Sequence, residues 1–292
     1  MWKLTSIADL ETNPPEVNKN FVAQAMGLST WYDQWKQQDM GGYTYTVDVV
    51  GSKGRSGGIH ASEISNCPRK AVYTMTGTEA RPGEKNVGMQ RRFNLGHAVH
   101  AMLQKEFELM CSWMNQEKVV IDFKDEVAIH PKLQEVAEQW DLHSSCDGIF
   151  TFWHMGNPYL RVGLEIKTKS ALEYEKLTSP EPMHFEQTCT YMAALDLPLM
   201  WTLYYNKSNS NYTNSEPPYL FKFDKHLWHT RLKPRFSSFH QHAQQNKLPD
   251  RVEGFYCSWC PYTWTCQPKN AQTRRHGASA TLKNPGMLRI AR

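Results

Sequence analysis

Apolar side chains between Gly96 and Lys118 recur every three or four residues. The apolar positions are Val99, Met102, Leu103, Phe107, Met110 and Met114. This spacing places them on one face of an α-helix, so the segment is predicted to be a long amphipathic helix. A shorter helix is predicted within 61–77, where Ser62 is a candidate N-cap and Gly77 a candidate end.

Downstream of Lys118 the pattern changes to short runs rich in β-branched and aromatic residues, which is typical of β-strands. These runs occupy residues 119–123, 125–130, 144–153, 160–169, 199–206 and 219–224. Helical periodicity returns at about 181–195 and at about 225–246, where Pro234 is expected to bend the helix. Helices interspersed with strands predict an α/β fold, with a central mixed β-sheet flanked by helices.

The chain is predicted to consist of a main body and two end segments. A glycine- and serine-rich stretch at 51–58, GSKGRSGG, is expected to be flexible, so residues 1–57 are predicted to be an N-terminal extension. The body, 58–268, is predicted to be one domain. The tail, 269–292, contains six Lys or Arg and no Asp or Glu. We expect this tail to be flexible or to dock on a negatively charged partner.

The composition narrows the class of protein. Hydrophobic residues make up 40% of the chain and charged residues 21%, which is typical of a soluble globular protein. No apolar run is long enough for a membrane span. The first residues lack the apolar segment of a secretory signal, so a cytoplasmic location is expected, or the host cytoplasm if a phage encodes the protein. A net charge of +4 permits a nucleic-acid partner but is small for this length.

Two predicted strands carry charged residues that could meet. SSCDGIF contains Asp147, and GLEIKTKS contains Glu165, eighteen residues later, and Lys167. Side chains at positions i and i+2 of a strand share a face, so Glu165 and Lys167 lie side by side. If Asp147 is on the neighbouring strand, Mg²⁺ or Mn²⁺ would relieve the repulsion between the two carboxylates. The pattern favours metal-dependent phosphodiester hydrolysis; an exposed Glu–Lys pair near an unrelated Asp is the alternative.

Three further polar side chains fit such a site. His100, in GHAVH, is a candidate nitrogen ligand, and His97, one turn earlier, is the alternative. Gln187 and Tyr191 are four residues apart on the helix predicted after the lysine, so they share a face. We expect them to hold the lysine or a DNA phosphate, and an ordinary surface pair is the other interpretation.

Basic residues near these motifs are candidates for binding nucleic-acid phosphates. Arg69 and Lys70 lie in NCPRK, and Arg91 and Arg92 belong to a basic segment, 81–92, that is predicted to be a loop. Nearby aromatic side chains could stack on bases. These residues predict a track for a DNA strand.

Four of the seven cysteines are candidate metal ligands. Cys257, Cys260 and Cys266 lie together in CSWCPYTWTC, one short of the four ligands that a tetrahedral site or a cluster takes. Cys67 is the candidate fourth ligand, because the two cations that follow it favour a thiolate. The remaining cysteines lie among apolar residues and are predicted to be buried: Cys111, Cys146 and Cys189.

Ligands from both ends of the body would close a loop of about 190 residues between Cys67 and Cys257. Closing so long a loop removes much of the unfolded chain's entropy, by analogy with a long disulfide loop. The metal would therefore staple the N- and C-terminal parts together. The spacing fits zinc as well as an iron–sulfur cluster, and Tyr256, Trp259 and Trp264 would shield either.

The order of these motifs resembles that of the RecB-like PD-(D/E)XK nucleases, and most of all their iron–sulfur branch. That branch includes the CRISPR-associated exonuclease, the AddB subunit and the nuclease part of a eukaryotic replication nuclease–helicase. The likeness extends over about residues 62–268, through CPRKAVY, GHAVH, CDGIF, EIKTK, QTCTY and CSWCPYTWTC. One departure is Cys146, where the family's name implies a proline before the acid.

The resemblance implies a restriction-endonuclease-like core with an iron–sulfur staple. It implies a catalytic Mg²⁺ or Mn²⁺ bound by His100, Asp147, Glu165 and the Ile166 carbonyl, with Lys167 as the catalytic lysine. Gln187 and Tyr191 match the family's QxxxY motif, which contacts DNA and orders the active site. The implied ligands of a [4Fe-4S] cluster are Cys67, Cys257, Cys260 and Cys266.

The expected function is that of a metal-dependent DNA exonuclease acting on single strands or duplex ends. No GxxxxGK[ST] motif is present, so any helicase or recombination partner would be a separate protein. One alternative is a non-catalytic DNA-binding or assembly subunit of a recombination or repair complex that keeps the fold. Another is a zinc-stapled structural protein. The intact Asp–Glu–Lys set favours the enzyme, because a site without activity has no physical reason to keep two adjacent carboxylates.

Overall fold

The computed structural model of this protein describes residues 15–38, 58–81, 87–116, 120–209 and 219–266. Most of the glycine- and serine-rich segment and the whole predicted tail, 269–292, lie outside these residues. The division into extension, body and tail therefore stays a prediction. No helix in the described part of the chain is both long and apolar enough to cross a bilayer.

Helices precede, interrupt and follow the strands. A 3₁₀ turn at Ala61–Glu63 precedes α2, and a single helical turn and a π-helical segment, Trp228–Leu232, precede α7. The helices are α1 (Pro15–Gln38), α2 (Pro68–Met75), α3 (Val87–Gln116), α4 (Glu135–Trp140), α5 (Ala171–Glu175), α6 (Pro182–Leu195), α7 (Lys233–Gln244) and α8 (Thr263–Cys266).

A five-stranded mixed sheet forms the centre of the molecule, and its strands lie in the order of the chain. All neighbours are antiparallel except β3 and β4, which are parallel. A parallel pair needs a crossover connection, and α6 lies within it. The strands are β1 (Ile121–Ile129), β2 (Ser144–His154), β3 (Asn157–Lys169), β4 (Leu199–Asn206) and β5 (Leu220–Lys222). The predicted α/β class with a central mixed sheet between helices is confirmed.

One face of the sheet packs against α1 and α3. Phe107 on α3 is fully buried, and its ring lies 5.3 Å from that of Phe150 and 5.6 Å from that of Trp201, centroid to centroid. Burying a side chain of this size contributes about 1.5–3 kcal/mol. Leu28 and Trp35 of α1 belong to the same core, so this helix of the predicted extension packs on the main body.

The other face packs against α4, α6 and α7. Trp140 of α4 stacks on Phe236 of α7 with ring centroids 5.9 Å apart, and Met192 of α6 is fully buried in the same core. Strand β4 is buried along its whole length, because alternate side chains enter the two cores. This burial fixes the register of the strands that carry the charged residues.

Local predictions differ from the structure at several points. The runs 119–123 and 125–130 are one strand, in which Glu126 has a positive φ of 43° and no partner in the ladder. Ser62 lies in the 3₁₀ turn, and Cys67 is the N-cap of α2 instead, because Pro68 suits the first helical position. The segment predicted as a helix at about 225–246 is helical from Lys225 to Gln244, with a π-helical stretch, Trp228–Leu232, just before Pro234, which lacks the N–H that a regular α-helix needs.

Candidate active site

Two carboxylates lie where the pairing of β2 and β3 ends. The antiparallel ladder reaches Gly148 opposite Leu164, and Asp147 and Glu165 are the next residues on the two strands. Here Oδ2 of Asp147 accepts a hydrogen bond from the N–H of Ile166 at 2.6 Å. The sheet thus places the two acids next to each other on adjacent strands, β2 and β3.

Helix α3 brings His100 to the same place, where its Nδ1 lies 3.3 Å from Oδ1 of Asp147. His97, the alternative ligand, is exposed. Gln104, one turn after His100, donates from Nε2 to the carbonyl oxygen of Asp147 at 2.8 Å and to Oε1 of Glu126 at 3.0 Å. Sequence reasoning missed Gln104, although a spacing of four residues from His100 indicates the same helix face.

The glutamine of QTCTY holds the acid and the lysine together. Lys167 forms an ion pair with Oε1 of Glu165 and donates to Oε1 of Gln187 at 3.0 Å. Nε2 of Gln187 donates to Oε1 of Glu165 at 2.9 Å and to the hydroxyl oxygen of Tyr191 at 2.7 Å. Ser144 also donates to that hydroxyl oxygen, at 3.4 Å. Of the two roles predicted for Gln187, this geometry matches holding the lysine.

Burial and opposite charges compete in this group. Burial raises the pKa of Glu165 to about 7, although Lys167 lies beside it. Burial also acts to raise the pKa of Asp147, but His100 and Lys167 outweigh it and the pKa is lowered. In return, the carboxylates raise the pKa values of Lys167 and His100 against the effect of burial. The four groups therefore form one electrostatic unit.

Among the residues that the structure describes, no group of three or more His, Cys, Asp or Glu side chains is placed to hold a metal ion. The donor set around Asp147 nevertheless fits a hard divalent cation. Oε2 of Glu165 is buried and has no hydrogen-bond partner, which is costly unless another group satisfies it. Two carboxylates and an imidazole suit Mg²⁺ or Mn²⁺, and a cation would favour ionised Glu165.

All four predicted cysteine ligands line one cavity of about 960 Å³. Cys67 precedes α2, Cys257 lies in a 3₁₀ turn (Phe255–Trp259), Cys260 follows that turn, and Cys266 ends α8. The other cysteines are buried elsewhere, as predicted, and burial raises the pKa of each thiol, to about 12 for Cys189: Cys111, Cys146 and Cys189.

This thiol cavity has a positively charged lining. Arg69 donates from Nε to the carbonyl oxygen of Pro249 at 2.7 Å, and its guanidinium lies 3.8 Å from the sulfur of Cys266. The Nε atoms of Arg235 and Arg251 are buried without a partner. Such a lining suits anionic contents, such as thiolates on a metal. Among the described residues, five cations and no carboxylate line the cavity, and three of these cations pair with carboxylates outside it. The cations are Arg69, Lys70, Arg231, Arg235 and Arg251.

The predicted DNA-binding residues lie in two places. Arg69 and Lys70 belong to the thiol cavity, where Lys70 pairs with Glu63 at 2.9 Å. Arg91 and Arg92 are exposed on α3, so the prediction that they lie in a loop is wrong. The first turns of α3 lack an apolar core-facing side, and their sequence therefore resembles that of a loop. Contact of these four residues with DNA stays a prediction.

The aromatic residues around the cysteines shield the cavity incompletely. Tyr256, Trp259 and Trp264 are 49%, 53% and 45% exposed. Tyr262, in contrast, is buried, and its ring lies 5.1 Å from that of Tyr73 on α2. The expected shielding by the first three rings is therefore only partial, and the Tyr73–Tyr262 pair connects the C-terminal segment to α2.

A buried network connects the thiol cavity to the active site. Glu186 precedes Gln187 on α6 and is 3% exposed. It accepts a hydrogen bond from Ser65 and pairs with Arg231 at 2.5 Å. Ser65 lies two residues before Cys67, so the loop of the first cysteine contacts the helix of the active-site glutamine. Nothing in the sequence indicates this contact, because a lone Glu on a helix is typical of an exposed face.

Comparison with known proteins finds no matching family model and no matching curated protein. Among solved structures, SSO0001 aligns over 84% of this chain and 96% of its own, with 11% identity and a TM-score of 0.43. LHK-Exo, an alkaline exonuclease from Laribacter hongkongensis, aligns over 66% and 90%, with 14% identity and a TM-score of 0.36. Its complex with dAMP aligns over 65% and 89%, with 16% identity and a TM-score of 0.35. These TM-scores are too low to carry an argument about function.

Proposed function

We propose that this protein is a metal-dependent DNA exonuclease with a restriction-endonuclease-like core. The supporting observation is that α3, β2 and β3 bring His100, Asp147 and Lys167, which are partly buried, together with buried Glu165 into one electrostatic unit. Two carboxylates and a lysine on strands β2 and β3, with a histidine from α3, are the groups that phosphodiester hydrolysis needs. We prefer an exonuclease to an endonuclease because the motif order resembles that of the iron–sulfur exonucleases.

The catalytic cation in this proposal is Mg²⁺ or Mn²⁺, held by His100, Asp147, Glu165 and the Ile166 carbonyl. When bound, such a cation acidifies a water molecule and polarises a phosphoryl oxygen. Fixing Asp147 to the Ile166 N–H keeps its other oxygen, Oδ1, on the side of His100. Unpartnered Oε2 is the oxygen of Glu165 that remains for the cation.

The chain's own residues position the charge that assists the reaction. Lys167 would stabilise the negative charge that develops on the phosphate, or orient the attacking water. Its ammonium group is held at Gln187 Oε1, and Gln187 is held in turn by the hydroxyl group of Tyr191. A lysine fixed at two acceptors needs little reorganisation during the reaction, and this is the role we propose for Gln187 and Tyr191.

We further propose that the thiol cavity holds a [4Fe-4S] cluster on Cys67, Cys257, Cys260 and Cys266. The four cysteines line one cavity, and the guanidinium of Arg69 lies 3.8 Å from the sulfur of Cys266 there. A cluster with four thiolates carries net negative charge, which this lining would balance. Its proposed role is structural. Iron and sulfide analysis with a visible absorption spectrum tests this proposal. If the purified protein contains stoichiometric zinc and no iron, the cavity is a zinc site and the cluster proposal is wrong.

The nuclease proposal is tested with end-labelled single- and double-stranded DNA in Mg²⁺ or Mn²⁺. Wild type should release nucleotides from an end, and Glu165→Gln should lower the rate by about a thousandfold, since electrostatic groups of this kind contribute that much. Glu175→Gln, an exposed carboxylate on α5, is the matched control and should cleave normally. Cleavage by Glu165→Gln at the wild-type rate would overturn the proposal. Binding without any cleavage by wild type would favour a non-catalytic DNA-binding or assembly subunit.

A further inference from the structure

Strands β1 and β2 pair along the whole of β1 except at one position. The ladder is regular on both sides of the gap, at Asp125 and at Val127, and its register places Glu126 opposite Asp147. These two residues do not pair, and Glu126 has a φ of 43°, in the left-handed region. A residue other than glycine is disfavoured there and persists only where its surroundings hold it. The contacts of the Glu126 side chain are therefore informative.

The carboxylate of Glu126 is held at both of its oxygens. Oε1 accepts a hydrogen bond from Nε2 of Gln104 at 3.0 Å, and Oε2 accepts one from the hydroxyl group of Ser145 at 3.0 Å. Glu126 is exposed, whereas Gln104 is 8% exposed. An exposed carboxylate on β1 thus holds a buried amide on α3.

The same amide holds the backbone of a candidate metal ligand. Nε2 of Gln104 also donates to the carbonyl oxygen of Asp147 at 2.8 Å, so both hydrogens of this nitrogen are used. Asp147 has no ladder pair on β1, and the pairing of β2 with β3 ends at the next residue, Gly148. Gln104 therefore supports the point of β2 where strand pairing is missing on both sides.

The position of this backbone sets the direction of the Asp147 carboxylate. Its Oδ2 accepts a hydrogen bond from the Ile166 N–H at 2.6 Å, and its Oδ1 lies 3.3 Å from Nδ1 of His100. His100 and Gln104 are about one turn apart on α3. One helix therefore contacts both the main chain and the side chain of Asp147, and a shift of that main chain would move the carboxylate away from its neighbours.

We propose that Gln104 is a positioning residue for the metal-binding carboxylate of Asp147, and that Glu126 holds Gln104 in place. This inference rests on the proposed nuclease function. Groups that orient the ligands of a metal typically contribute about tenfold to hundredfold to metal affinity or activity. Glycine would suit the backbone of residue 126 better, but it has no carboxylate to hold the amide.

Mn²⁺ binding to the purified protein, followed by electron paramagnetic resonance, tests this proposal without DNA. The relevant site is the one that Asp147→Asn loses. Gln104→Met keeps the approximate size of the side chain but removes the amide, and it should weaken Mn²⁺ binding at this site by about tenfold to hundredfold. Mn²⁺ affinity equal to that of wild type in Gln104→Met would overturn the proposal.

Variants of β1 separate the carboxylate from the backbone. Glu126→Gly accepts the positive φ but removes the carboxylate, so Mn²⁺ binding should weaken, and Glu126→Gln, which keeps an oxygen acceptor for Gln104, should recover most of the affinity. Asp125→Ala removes the exposed carboxylate next along the strand and should bind Mn²⁺ as wild type does. Equal affinities of Glu126→Gly and Asp125→Ala would contradict the role of Glu126.

A second readout needs no metal. Because the Ile166 N–H donates to Asp147, its hydrogen exchange in the metal-free protein reports whether that carboxylate stays in place. Gln104→Met should lose protection at Ile166 and keep it at Leu164, which pairs within the sheet. Unchanged protection at Ile166 would overturn the proposal, whereas loss of protection throughout β3 would mean that Gln104 supports the whole strand and not Asp147 in particular.

Failure of the nuclease proposal gives a different result. If wild type neither binds Mn²⁺ at Asp147 nor cleaves DNA, the nuclease proposal fails, and exchange at Ile166 still decides whether Gln104 positions this carboxylate. If wild type does both, but Gln104→Met changes neither Mn²⁺ affinity nor exchange at Ile166, only the positioning proposal fails.

Discussion

The two candidate sites of this protein are built in opposite ways. The carboxylate site lies on two paired strands and two helices, and its charged groups are hydrogen-bonded to one another. The thiol cavity is lined by the start of α2 and by short C-terminal turns, and two of its arginines have an unpartnered Nε. The sheet holds the residues of the carboxylate site in place, whereas the cysteines of the thiol site surround a cavity of about 960 Å³.

This difference indicates where a ligand contributes most to folding. The sheet and Gln187 position Glu165 and Lys167 without any cation. The described C-terminal residues after β5, up to Cys266, contain no strand that would fix them, so a metal that joins their cysteines to Cys67 would contribute folding free energy directly. The hydrogen bond from Ser65 to Glu186 joins the loop before Cys67 to the helix of the active-site glutamine, since Glu186 adjoins Gln187.

The largest expected effect on stability comes from breaking the thiol site. Cys266→Ser should abolish stoichiometric metal binding and lower the free energy of unfolding by about 2–5 kcal/mol, the range for losing a long-loop cross-link. Denaturant unfolding with metal analysis measures both. Cys111→Ala, a cysteine outside the cavity, should keep the metal. Full metal content and full stability in Cys266→Ser would show that the cavity is not a staple.

A smaller effect should follow at the carboxylate site, where the chain itself holds the geometry. Tyr191→Phe removes the acceptor of the 2.7 Å hydrogen bond from Gln187. An unsatisfied buried donor costs about 1–3 kcal/mol, so we expect kcat on DNA to fall by about tenfold or more with little change in KM. Steady-state kinetics of the purified variant give both constants. An unchanged kcat would mean that Gln187 needs no support from Tyr191.

The effect that is expected to be smallest at neutral pH is a pH dependence of stability near the carboxylate site. Burial, with Lys167 and Lys169 nearby, lowers the pKa of His184 to about 3, and its Nδ1 lies 2.8 Å from the Tyr204 hydroxyl. The unfolded chain therefore binds a proton at this residue from about pH 6.5 downward, whereas the folded protein does not until about pH 3. Stability should fall as the pH decreases through this window, by at most about 1.4 kcal/mol per pH unit.

His184→Gln isolates that contribution, because glutamine keeps a hydrogen-bonding group but has no proton to gain. The difference in unfolding free energy between wild type and His184→Gln should change between pH 6.5 and pH 3 and be constant above pH 7. Denaturant titrations at a series of pH values measure it. A difference independent of pH would show that His184 is protonated in the folded protein as it is in the unfolded chain.

The same contrast explains what could be predicted from sequence. The apolar periodicity of α3 and the strand-like sequences of β2 and β3 indicate elements that are buried along their length. The positions of Asp147, Glu165 and Lys167 on the strands could therefore be predicted. Contacts between elements that are far apart along the chain produce no periodic pattern in the sequence. The sequence shows Arg69 and Lys70 beside Cys67, but the places of Gln104, Glu186 and the cavity's other arginines become visible only in three dimensions. The exposed first turns of α3 lack the pattern of a helix.

Crystals of wild type grown with Mn²⁺ test the central claim most directly, because manganese can be located by its anomalous scattering. The account predicts one strong peak bonded to the carboxylates of Asp147 and Glu165 beside His100, and its loss in Glu165→Gln. A saturating Mn²⁺ concentration that leaves those two carboxylates without a peak, in crystals where their positions are clear, would contradict it.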